Sequence, residues 1–73
     1  MHRSLVLEHL AQAERHILQG EDHIANQLAR IEEAERAGLN AGPAKSLLRT
    51  LEESQALHLA ERERLRAELD GAV

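Results

Sequence analysis

From Val6 onward, apolar residues return every three or four positions: Val6, Leu10, Ala13, Ile17, Ile24, Leu28, Ile31 and Ala34, with Gly20 keeping the same beat. That spacing marks one face of an α-helix. Leu10, Ile17, Ile24 and Ile31 recur at intervals of seven, the heptad of a helix held against a partner along its length. A second stripe runs through Ala44, Leu48, Leu51, Gln55, His58, Arg62, Leu65 and Leu69. Between the stripes lies Gly38-Leu39-Asn40-Ala41-Gly42-Pro43. Gly38 suits a left-handed C-cap, with Leu39 placed to fold back onto the last turn. Pro43 is tolerated where first-turn N–H groups have no intrahelical acceptor. Ser4 is the expected N-cap of the first helix, with Glu8 near its positive end, and Asp70-Gly71 ends the second. The pattern predicts an all-α chain with helices over about 4–37 and 41–70 and a turn at 38–43, one hairpin unit spanning 1–73.

A connection this short makes the helices antiparallel neighbours. A turn centred near residue 40 or 41 places Ile31 opposite the Leu51 region, Ile24 opposite the His58 region and Ile17 opposite the Leu65 region. The expected interface is Leu10, Ile17, Ile24, Leu28 and Ile31 against Leu48, Leu51, Leu65 and Leu69.

Composition limits what such a hairpin achieves alone. The chain has 73 residues, no Phe, Tyr or Trp, and no cysteine. The large aromatic burial, disulfides and thiolate metal sites that stabilise other small domains are therefore missing. One stripe per helix also leaves Leu7, Leu18, Leu47, Leu57 and Leu59 without cover. Association is the natural remedy: two hairpins forming a four-helix bundle with two-fold symmetry. Ala13, Gly20 and Ala34 would let a neighbouring backbone approach closely.

The formal charge of −4, with acids and bases interleaved as in Glu61-Arg62-Glu63-Arg64, argues against nucleic acid as partner. No run approaches the ~18 apolar residues of a membrane span. The opening Met-His-Arg-Ser-Leu-Val-Leu-Glu meets charge too early for a signal-peptide core. The expected setting is cytoplasmic.

Polar residues interrupt the second stripe where a simple bundle would carry Leu. Gln55, His58 and Arg62, with His23 and Gln27 facing them, form an expected polar core layer that must satisfy its hydrogen bonds internally. Such a layer fixes register and oligomeric state in coiled coils. Arg62 would pair with Glu14 or Glu21, and His58 with Gln27 or a backbone group; alternatively Arg62 snorkels to water. A sharper reading is a divalent metal site of His23, His58 and Glu61, because His58 and Glu61 stand three apart. His2, His9, His16 and His23 recur at sevens, but ~10.5 Å between successive rungs prevents them from sharing one metal. As a flank, these rings would make assembly respond to pH near 6–7. No nucleophile–base arrangement or phosphate loop is present, so no enzyme activity is expected.

Ala13-Glu14-Arg15-His16-Ile17, Gly20-Glu21-Asp22-His23-Ile24 and Gln55-Ala56-Leu57-His58 resemble a group of short uncharacterised proteobacterial two-helix proteins of unknown function. The resemblance covers most of the chain and implies a small, complete bacterial protein; it transfers no site residue. The functional expectation is a non-enzymatic, homodimeric structural or protein-interaction module without cofactor. A metal-binding bundle and a pH-responsive assembly are the alternatives.

Overall fold

In the computed structural model, residues 2–71 are described. They form two helices, α1 over His2–Arg36 and α2 over Gly42–Leu69, packed along one another with no strand among the described residues. The molecule is a rod of 55 × 17 × 13 Å. Helix ends fall within two residues of those predicted. Ser4 lies inside α1 and is exposed rather than capping it. Nothing in His2 or Arg3 opposes helix, and serine within a helix costs little.

The turn is built by hydrogen bonds the sequence invites. Gly38 adopts φ of 72°; its N–H donates to Glu35 O at 3.1 Å, and Leu39 N–H donates to Ala34 O at 2.9 Å. This pair is a Schellman closure, which satisfies end carbonyls. Leu39 lines a shallow groove with Ala34 and Ala37, yet stays largely exposed. Asn40 Oδ1 accepts the Gly42 N–H at 3.0 Å, and Pro43 has none to satisfy. Two of the first-turn donors of α2 are thereby dealt with.

The core is small. Val6, Ala13 and Leu65 form its buried cluster, edged by Leu10 and Leu69, while Ile17, Ile31 and Ala41 are buried elsewhere along the seam. Ile24, Leu48 and Leu51 are half-buried. Leu28, expected at the interface, is 47% exposed. Its neighbour Gln27 takes the inward position there, because the amide finds a backbone acceptor across the seam.

The register also differs from expectation. Leu65 clusters with Val6 and Ala13, not with Ile17, and Ile17 lies beside Gln55. Against the sequence-based register, α2 is displaced by about two turns. The physical reason is the path of the loop, which folds back along α1 rather than extending past its end. Ala41 is buried, and Gln27 Nε2 donates to Ala44 O at 3.0 Å, so α2 begins well below the last turn of α1.

Candidate functional site

The two buried glutamines hold the seam in opposite directions. Gln27 reaches from α1 to the backbone of α2, and Gln55 reaches back, its Nε2 donating to Ile17 O at 2.9 Å. Both target carbonyls lie within helices, so each glutamine adds a further donor to a carbonyl of an existing ladder. Gln55 Oε1 is buried with no hydrogen-bond partner. It rests over Gly20, at a point where any Cβ would overlap it. The missing side chain at Gly20 admits the amide in this position; a Cβ there would displace the end of the Gln55 side chain.

The expected polar layer is therefore not one layer. Gln27 sits near the turn and Gln55 near mid-seam. Arg62 is half-buried; its Nε lacks a hydrogen bond and lies 3.8 Å from Glu63 Oε1. It contacts neither Glu14 nor Glu21 by an ion pair; Glu14 stands 4.0 Å from Arg66 instead. His23 is exposed. His58 is half-buried, and its neighbour across the seam is His16, with ring centroids 4.9 Å apart and planes tilted by 47°. That pairing follows from the shifted register, which brings residue 16 to the level of 58.

His16, His23 and His58 line one shallow groove with Gly20, Ser54 and Gln55. A second groove continues it through His9, His16, His58 and Glu61. Glu61 is turned to Arg64, which also bonds Glu68 Oε2 at 2.9 Å. The Arg64 hydrogen bond holds the Glu61 carboxyl below its ordinary pKa, and the carboxylates raise that of Arg64. His23, His58 and Glu61 therefore do not converge. Among the described residues no group of three His, Asp or Glu side chains is placed to hold a metal ion.

Ion pairs identify the two flanks of the hairpin. Glu14 pairs with Arg66 at 4.0 Å and Glu35 with Lys45 at 3.0 Å. Residues seven apart share a side of a helix. Leu7 and Leu28 accordingly share the Glu14 and Glu35 flank of α1, and Leu59 shares the Lys45 and Arg66 flank of α2. The histidines occupy the opposite flank, where His2 Nε2 lies 3.6 Å from Glu68. Sequence spacing shows which residues share a helix side; which residues of the two helices meet depends on the register.

No described helix is long and apolar enough to cross a membrane. Comparison with protein-family models, curated proteins and solved structures finds no match to the chain.

Proposed function

We propose that this hairpin is a self-associating, non-enzymatic structural or protein-interaction module, one half of a homodimeric four-helix bundle working in the cytoplasm. The observation supporting this reading is the surface it leaves in water. Ordinary scaling gives a compact 8.2 kDa chain about 4,500 Å² of accessible surface. This chain exposes 5458 Å². The excess is close to the ~800 Å² that each partner contributes to a standard protein interface.

The residues concerned are apolar. Leu5, Leu7, Leu18, Leu28, Leu39, Leu47, Leu57 and Leu59 are all exposed, whereas Leu65 is the one leucine that is fully buried. Taking a leucine from full exposure to full burial contributes ~1.5–3 kcal/mol, and these side chains are 38–72% exposed, so covering the remainder of several changes the balance of so thin a core. Sedimentation equilibrium over a concentration series tests the reading. The expected species has twice the 8.2 kDa chain mass. A folded, helical monomer persisting to high concentration would overturn it.

A further inference from the structure

We propose that the second copy docks on the flank carrying Leu7, Leu28 and Leu59, with Leu18 beside it, and that the histidine flank faces outward; this rests on the self-association proposed above. The flanks differ in what they offer. Along α1, the Glu14 side carries Leu7 and Leu28, and Leu18 neighbours it with Ala11 and Ala25 at intervals of seven. Leu7, Leu18 and Leu28 are 45, 63 and 47% exposed, and Leu59 on the matching flank of α2 is 38% exposed. Half-buried Leu10, Ile24 and Leu48 extend this surface into the seam. Along α1 the opposite flank presents His2, His9, His16 and His23 with Gln12, Gln19 and Asn26, and its exposed leucines, Leu5, Leu47 and Leu57, lie scattered among these polar groups.

Two observations select a second copy as the occupant. The excess surface of the rod matches one partner's share of an interface, so a partner the size of this chain suffices. The leucines extend from residue 7 to residue 28, about 30 Å along α1, a span that another rod covers end to end. A two-fold axis along the rods sets α1 of one copy antiparallel against α2 of the other, so that the same leucine-bearing flank serves both copies, as an isologous interface requires. The cations on this flank, Lys45 and Arg66, are already paired with Glu35 and Glu14 within one hairpin.

Charge substitutions separate the flanks. Leu18→Glu and Leu28→Glu should weaken dimerisation at least tenfold, whereas Leu5→Glu and Leu57→Glu, on the histidine side, should leave it within about twofold. A charged variant that loses helicity would not discriminate, so thiol accessibility supplies a second measurement. The chain has no cysteine of its own. Alkylation of Leu18→Cys should slow as concentration rises into the dimer range, and that of Leu57→Cys should not. The reverse pattern, with Leu57→Cys protected and Leu57→Glu dissociating, overturns the choice of flank while leaving self-association intact. No concentration dependence in either cysteine variant, together with monomeric wild type, overturns self-association itself.

Discussion

Gly20 and Gln55 are the residues on which the seam's register turns. An alanine at 20 would gain ~0.5–1 kcal/mol of helix propensity, but its Cβ would occupy the place of the Gln55 amide. The amide must then leave Ile17 O, losing a hydrogen bond of ~0.5–1.5 kcal/mol. The two effects nearly cancel, so Gly20→Ala alone should change stability little. In a Gln55→Ala background the steric conflict is gone, and Gly20→Ala should stabilise by ~0.5–1 kcal/mol. Urea unfolding of the four members of this cycle measures the coupling; additive values would show that the amide does not depend on the glycine. The sequence placed Gly20 and Gln55 on their stripes, and it flagged Gln55 as an interruption. It did not pair them, because an amide-over-glycine contact between residues so distant in the chain has no local signature.

Each helix end carries its own device, and each can be removed separately. Gly38 is in the left-handed region, so Gly38→Ala should destabilise by ~1–2 kcal/mol. Asn40→Ala removes the acceptor for the Gly42 N–H and should cost ~1 kcal/mol. Thermal melts followed by helical circular dichroism check both. Near the far end of α2, Arg64 joins Glu61 and Glu68 on an exposed surface. The Glu61 pKa is lowered in the fold, so its stabilising effect is complete above the ordinary glutamate range. It disappears as pH falls through the lowered value. The stability difference between wild type and Arg64→Gln should therefore diminish as pH falls below the ordinary glutamate range, and shrink in high salt. A difference that persists at low pH would mean that Arg64 acts through packing of its stem.

At the scale of the whole molecule, shape and surface carry the argument. A rod 55 Å long and 13 Å thin has little interior, and its exposed leucines outnumber its buried ones. Under the proposed self-association its stability should rise with chain concentration, since folded chains pair and unfolded ones do not. Melting temperatures measured across a hundredfold concentration range check this; a constant value denotes an independent monomer. With the histidine flank outward, association should change little between about pH 7.5 and 5.5. A dissociation constant that moves strongly over that range would place His16, His23 or His58 inside the interface instead.

Most of the local grammar of this chain was legible in its sequence, the expected cap at Ser4 excepted: a three-four apolar beat for each helix, Gly38 for the left-handed cap, Pro43 for a first turn and Asp70-Gly71 for an end. These features act through φ, ψ and neighbouring hydrogen bonds, so a few adjacent residues specify them. The hairpin's antiparallel course followed from loop length alone. What only the tertiary structure decided was how far one helix slides along the other. A heptad stripe repeats, and adjacent registers bury similar leucines, so the choice fell to contacts between distant residues: Gln27 on Ala44 O, Gln55 over Gly20, and Ala41 tucked against the seam. That slide set His16 rather than His23 beside His58 and separated the expected polar layer into two glutamine clasps.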